Sequence, residues 1–195
     1  MARTETLKDG TKVVIRDLKM EDFDKLMKFY QDLPPEDRKY LRFDVTKRDV
    51  VKERLGRMEK GLDFRIAAFD DKDAIVASGV VELSTEDWRR GQGELRFMVA
   101  HPYQHKGLGM IMMRELYFLA LQNKVQTVVV EMMRPQTAAR NICHKMGFRE
   151  EMLVPEYLRD QEGVLQDMIF MKSDLKKLMQ EMEYFHRDTD WQSHR

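Results

Sequence analysis

The sequence predicts a mixed α/β domain, and three observations carry that expectation. Apolar runs of strand length fill the middle of the chain, helical faces recur before and between them, and a loop with two glycines joins a strand to an apolar helix. A hairpin followed by strand–loop–helix–strand–helix–strand implies a sheet that is antiparallel at its ends with at least one parallel crossover in the middle. With 195 residues the chain is one domain, or one domain with a helical extension, and 43% apolar residues supply a core.

Taken in order, residues 1–10 read as an N-terminal extension ending in the turn signal Asp9-Gly10. Residues 12–16 form a first strand, and residues 20–31 place Phe23, Leu26, Met27 and Tyr30 at helical spacing. Leu33-Pro34-Pro35 stops that helix, and Pro35 can start another. Residues 47–59 present Val50, Val51, Arg54, Leu55 and Met58 as a further helical face. Residues 64–69 and 74–83 flank the turn Asp70-Asp71-Lys72-Asp73 as an antiparallel hairpin. A third strand over 94–99 stops before Pro102, and a helix follows from Leu108 to Gln122. Residues 127–132 read as a buried strand, and a helix over 137–146 is ended by Gly147. Two more strands, near 148–158 and 164–171, are split by a polar turn at 159–163. The compact domain therefore spans 11–172, and 173–195 reads as an amphipathic helix and tail that can pack on the sheet or form a dimer contact.

Charge and composition narrow the function classes. Lys+Arg 34 against Asp+Glu 34 leaves no overall positive field, which argues against a nucleic-acid or anionic-lipid partner. One cysteine can form neither an internal disulfide nor a thiolate zinc site, and the five histidines show no metal-binding spacing. No apolar run is long enough to span a membrane, and the polar start Met1-Ala2-Arg3-Thr4-Glu5-Thr6 is unlike a secretory signal, so the expected compartment is the cytoplasm.

The most informative stretch is Gln104-His105-Lys106-Gly107-Leu108-Gly109, between a strand and a helix. Unsatisfied N–H groups at a helix N-terminus face a favourable dipole, and glycines let an anion come close, so a pyrophosphate suits this loop. A Walker A loop needs Gly-Lys-Ser/Thr, whereas Lys106 precedes its glycine, and a dinucleotide fingerprint needs a small residue where Met112 stands.

Residues 93–109, reading Gly-Glu-Leu-Arg-Phe-Met-Val-Ala-His-Pro-Tyr-Gln-His-Lys-Gly-Leu-Gly, resemble the strand and Gln/Arg-x-x-Gly-x-Gly/Ala motif of the GNAT superfamily of acyl-CoA-dependent N-acyltransferases. Residues 139–148, ending in Met146-Gly147-Phe148, are similar to that family's helix ending in Gly-Phe, and residues 14–22 resemble its first strand and helix. Residues 33–43, ending in Tyr40-Leu41-Arg42-Phe43, further resemble the branch that acetylates protein lysines or is fused to acyl-CoA synthetases.

The resemblance implies a central, mostly antiparallel sheet of about six to seven strands, with helices on both faces and a splayed strand pair at the CoA cleft. It implies acetyl-CoA as cosubstrate, with the backbone amides of Gln104, His105, Lys106, Gly107, Leu108 and Gly109 on the pyrophosphate. The strand carrying Met98 and Val99 would pair with pantetheine, and Gln136 sits where the family often has an Asn reaching the cofactor. An amine, a protein lysine or a small molecule, would attack the thioester carbonyl directly.

In-line transfer needs a deprotonated amine, and an ammonium with a pKa of about 10 supplies little of it at neutral pH. Glu94, where several family branches hold a Glu, is the candidate base, with Glu82 and Glu131 on neighbouring strands as substitutes. Cys143 stands where many members have a Tyr that protonates the leaving thiolate, but Ala139, Ile142, Cys143 and Met146 share one helical face, which reads as core. Tyr157 is a distant reserve. Two readings stay open: an acetyl-CoA-dependent N-acetyltransferase acting on a primary amine, and a non-catalytic acyl-CoA-binding or sensing module. Glu94 favours the first, and the absent Tyr at Cys143 favours the second.

Overall fold

The computed structural model describes residues 2–175 of the 195-residue chain. One eight-stranded sheet runs through it in the order β1-β2-β3-β4-β5-β6-β8-β7. The strands are β1 (Arg3–Thr6), β2 (Lys12–Asp17), β3 (Asp63–Phe69), β4 (Ile75–Leu83), β5 (Gln92–Val99), β6 (Thr127–Met133), β7 (Arg149–Arg159) and β8 (Leu165–Asp174). The helices are α1 (Phe23–Asp32), the single turn α2 (Pro35–Arg38), α3 (Arg48–Glu59), α4 (Leu108–Gln122) and α5 (Thr137–Lys145). Every neighbouring pair is antiparallel except β5 and β6, whose parallel crossover is α4.

Eight strands exceed the six to seven expected, because Arg3–Thr6 is a strand and not a loose extension. Arg3-Thr4-Glu5-Thr6 has no apolar face to announce it; it pairs with β2 at the edge of the sheet, Thr4 opposite Val14. Arg114 on α4 holds it by reaching Glu5 Oε1 at 2.6 Å. At the other end β8 runs to Asp174, and Leu175 is fully buried, so the domain passes 172. The amphipathic helix expected beyond it lies outside the described residues.

Side chains alternate across the strands, and each face packs its own helices. On one face Leu108, Met112, Met113, Leu116, Tyr117 and Ala120 of α4 meet Val81, Leu95 and Val128, with Cys143 of α5 closing the layer. Burying that stripe contributes on the order of 10 kcal/mol gross, before the entropy of ordering the helix. On the other face Leu26, Met27 and Tyr30 of α1 and Val51 and Leu55 of α3 cover Ala67 and Phe69. Asp22, buried just before α1, accepts two hydrogen bonds from Arg16 at 2.7 and 2.8 Å and fixes that helix on β2.

Candidate active site

The site is made by a split in the sheet. β5 and β6 pair only at Gln92↔Thr127, Gly93↔Val128 and Glu94↔Val129. Beyond Glu94, β5 stays with β4 as far as Val99↔Ala77, while β6 stays with β8 as far as Met133↔Met168. The β6-facing edge of residues 95–99 therefore has no strand partner, which leaves backbone groups of the Met98–Val99 stretch for something else to pair with. One of them is already used: Gln104 Nε2 donates to the Val99 carbonyl at 3.1 Å and to Asp37 Oδ2 at 3.1 Å.

The glycine loop leads into α4 where the sequence placed it. Gly107 is the residue before the helix, with φ of 92°, a left-handed conformation that costs a residue with a side chain roughly 1–2 kcal/mol. Its neighbour His105 also has a positive φ, 59°. The N–H groups of His105, Lys106, Gly107, Leu108 and Gly109 have no acceptor among the described residues, and the first that bonds in the helix turn is that of Met110, to the Gly107 carbonyl. Five consecutive free donors at the positive end of a 15-residue helix form a nest for a polyanion.

The two glycines serve differently: a Cβ at Gly109 would lie 2.9 Å from Ile142 Cδ1 and 3.5 Å from a Phe97 ring carbon, so Gly109 lets α4 approach α5 and β5. Lys106 is engaged by Asp9 at 2.8 Å, and that hydrogen bond pulls the Asp9 carboxyl down to about 2. Lys106 therefore offers its backbone to the nest while its charge is held by the β1–β2 turn, whose Lys8 N–H binds the Lys106 carbonyl at 3.0 Å.

A cavity of about 170 Å³ opens at the split. Ala139, Cys143 and Gln136 line it from α5 and its approach, Met98 and Met132 from the parting strands, and Arg54 from α3. Arg65, Glu82 and Arg96 give it a polar wall, and they belong to a charged set that shares one sheet face. Asp63, Arg65, Glu82, Arg96 and Glu94 lie on the α1/α3 side, Glu82 directly opposite both Asp63 and Glu94. Asp63 accepts from Arg57 at 2.7 Å and Arg65 at 3.0 Å, and Glu82 contacts Arg96. From the loop after α2, Arg42 reaches into the split and joins Glu94 to Glu131, with contacts of 2.5 and 2.6 Å.

Glu94 begins the split and is set back from the cavity lining, behind Arg42. Its Oε2 accepts from Arg42 Nη1 at 3.1 Å, whereas Oε1 meets Nη2 without hydrogen-bond alignment. Burial pushes the Glu94 carboxyl above the usual carboxylate range, against the lowering pull of Arg42 and Arg96, and Glu131 and Glu82 push it further. Burial likewise lowers the Arg96 guanidinium, opposed mainly by Glu82.

Cys143 is fully buried on α5, and burial pushes its thiol up to about 12. Gln136 turns its Oε1 inward to accept from the Met133 N–H at 2.8 Å, which ties off the end of β6, and only its NH₂ end remains for a ligand. Tyr157 is well exposed on β7, in the β7–β8 hairpin, and does not line the cavity. Sequence reasoning missed the roles of Arg42, Arg54, Arg65 and Arg96. The last two had a signal: charged residues at alternate positions of strands whose other face is apolar. Among the described residues no group of three or more His, Cys, Asp or Glu is placed to hold a metal ion, and no helix is long and apolar enough to cross a membrane.

Residues 12–149 match the family model described as the acetyltransferase (GNAT) domain. Similar solved structures include the ribosomal-protein-S5-alanine acetyltransferase from Vibrio fischeri, at 14% identity and a TM-score of 0.73 over 83% of this chain and 92% of that one. A GNAT superfamily phosphinothricin acetyltransferase from Sinorhizobium meliloti, in complex with AcCoA, has 13% identity and a TM-score of 0.74 over 83% and 88%. The ribosomal-protein-alanine N-acetyltransferase from Brucella melitensis has 18% identity and a TM-score of 0.71 over 82% and 98%. At such identities these likenesses concern the fold. No curated protein matches the chain.

Proposed function

The chain belongs to the acetyltransferase (GNAT) domain family, which makes it an acetyl-CoA-dependent N-acetyltransferase, and from that premise we propose how its residues divide the work. The observation that carries the reading is the conjunction of five unpaired N–H donors at the start of α4 with the unpaired edge of β5 beside them. A pyrophosphate fits the donors and an extended amide-bearing arm fits the edge, so His105 to Gly109 would hold the phosphates and the Met98–Val99 backbone the pantetheine. The Gln104 side chain would stiffen the strand–loop corner, and the Gln136 NH₂ would reach the arm from the β6 side. Bound acetyl-CoA supplies the thioester; the rest falls to the protein.

Glu94 is the proposed base. A carboxyl raised by burial is a better match for an ammonium proton than an ordinary one, and Glu94 stands at the point where the strands part. It takes the proton from the acceptor ammonium directly or through a water; the neutral amine then attacks the thioester carbon, the C–S bond breaks to release CoA thiolate, and the second proton leaves the nitrogen, to the thiolate or to water, as the amide forms. Glu131, which lines the cavity, is the alternative base. Cys143 is a poor acid for the thiolate, since a thiol near 12 holds its proton more tightly than an ordinary one at about 8.5. Water is then the proton source, or the thiolate leaves unprotonated.

The sensing alternative draws on that missing acid and on the ion pair that holds Glu94. We place the reaction in the cytoplasm, a reducing compartment in which the lone Cys143 stays a free thiol. Following thiol release from acetyl-CoA over a panel of amines and lysine peptides, with product mass as a check, tests the reading. Amine-dependent thiol release supports it, and tight acetyl-CoA binding without transfer to any amine replaces it with the sensor.

A further inference from the structure

Four arginines line the cavity, and three of them are matched: Arg42 with Glu94 and Glu131, Arg65 with Asp63, and Arg96 with Glu82. Arg54 is different. Among the described residues it has no carboxylate partner, and its recorded contact is with an aromatic ring, its guanidinium carbon lying 3.5 Å from the centre of Phe43. Arg96 approaches the same ring at 5.4 Å. Stacking fixes the plane of the Arg54 guanidinium and leaves its rim of N–H donors unspent, the arrangement that takes a planar oxyanion in two parallel hydrogen bonds. A part-buried guanidinium without a counter-ion is also costly, and a ligand that brought one would recover that cost.

The cavity therefore asks for both signs of charge. At the split, Glu131 with Glu94 behind it already hold a cation, the Arg42 guanidinium, in the place where an acceptor ammonium must arrive to meet Glu94. On the α3 side Arg54 lacks an anion. The wall near it is hydrocarbon, from Leu26, Val51 and Leu55. We infer that the acceptor is a small amino carboxylate, whose ammonium is received by Glu94 and Glu131 and whose carboxylate is bound by Arg54 stacked on Phe43. This deepens the proposed transferase reading and rests on it. A lysine side chain within a protein brings no carboxylate of its own, so the inference sets small molecules apart from protein acceptors.

The test compares free α- and ω-amino acids with their amides and with the corresponding decarboxylated amines, all with acetyl-CoA. Wild type should prefer the carboxylate-bearing member of a set by tenfold or more in kcat/KM. Arg54→Gln should raise KM for that acceptor by a similar factor, while acetyl-CoA affinity and kcat/KM for the amide stay within about twofold, and Arg54→Lys should recover part of the loss. Equal use of acid and amide by wild type, or of lysine peptides in preference to both, would overturn the inference and leave the transferase reading standing. An equal loss on all acceptors in a folded Arg54→Gln protein would overturn it too, by giving Arg54 a structural role. Transfer to no amine at all would remove the transferase reading and this inference with it.

Discussion

Arg42 Nη2 lies 2.5 Å from Glu94 Oε1, although 52 residues separate the two in sequence. The same guanidinium reaches Glu131 Oε2 at 2.6 Å, so one loop residue ties together the two strands that part at the site. The loop is anchored from the far side as well. Gln161, in the β7–β8 turn, donates its Nε2 to the Leu41 carbonyl at 2.6 Å and its backbone N–H to the Lys39 carbonyl at 2.9 Å. A cation held between Glu94 and Glu131 opposes, without cancelling, the rise that burial imposes on the Glu94 carboxyl.

Removing that cation should show in the pH profile. Burial raises the Glu94 carboxyl and Arg42 opposes the rise, so Arg42→Met should raise it further and move the acidic limb of kcat/KM to higher pH. The sign for stability follows. A raised carboxyl binds its proton more tightly in the folded state, so stability is lost as pH climbs from the unfolded carboxyl's value to the folded one and levels off above it. The melting temperature of Arg42→Met should therefore fall further below wild type at pH 8 than at pH 4. Since the Arg42 side chain is about a third exposed, the neutral-pH cost should be about 1–2 kcal/mol. An acidic limb that moves down, or a gap that closes with rising pH, would contradict the pairing.

The two loop glycines should fail differently. Gly107→Ala puts a side chain at a φ of 92° with nothing closer to its Cβ than the Lys8 side chain at 3.6 Å. It should cost about 1 kcal/mol of stability and, by bending the donor nest, at least tenfold in acetyl-CoA affinity. Gly109→Ala presses on Ile142 and should cost about 1–3 kcal/mol, with part of the stability restored by adding Ile142→Ala. Calorimetric titration beside thermal melts separates the two effects. Unchanged acetyl-CoA affinity in a folded Gly107→Ala protein would remove the loop from the cofactor site.

Cys143 is expected to be packing. Its side chain is fully buried and its thiol is pushed up to about 12, so Cys143→Ala should cost on the order of 1 kcal/mol and keep most of kcat. Wild type should also react slowly with thiol reagents at neutral pH. Collapse of kcat with acetyl-CoA affinity intact would assign the thiol a chemical role.

The strands and helices built from apolar periodicity were legible, as was the glycine loop, because each rests on local patterning. α4 begins and ends at Leu108 and Gln122 as the pattern indicates. β1 was not legible, since Arg3-Thr4-Glu5-Thr6 becomes a strand only through pairing with β2 and the grip of Arg114 on Glu5. Glu94 could be singled out by its register at the start of the strand that resembles the GNAT motif, but its ion pair with Arg42 could not. That contact joins a loop to a strand across the fold, and no spacing rule links them. Arg54 reads in the sequence as one member of the helical face that also carries Val51 and Leu55, and only the folded loop that brings Phe43 over it shows its guanidinium stacked on a ring.

The central claim is that the split sheet holds acetyl-CoA while Glu94 deprotonates the acceptor. The most direct measurement is kcat/KM for Glu94→Gln across pH on the best acceptor, with acetyl-CoA affinity taken alongside. The variant should lose about 10²–10⁴-fold at neutral pH, the deficit should shrink as pH approaches the acceptor's own pKa, and acetyl-CoA affinity should barely move. A Glu94→Gln protein that turns over at the wild-type rate throughout would contradict the account and hand the proton to Glu131.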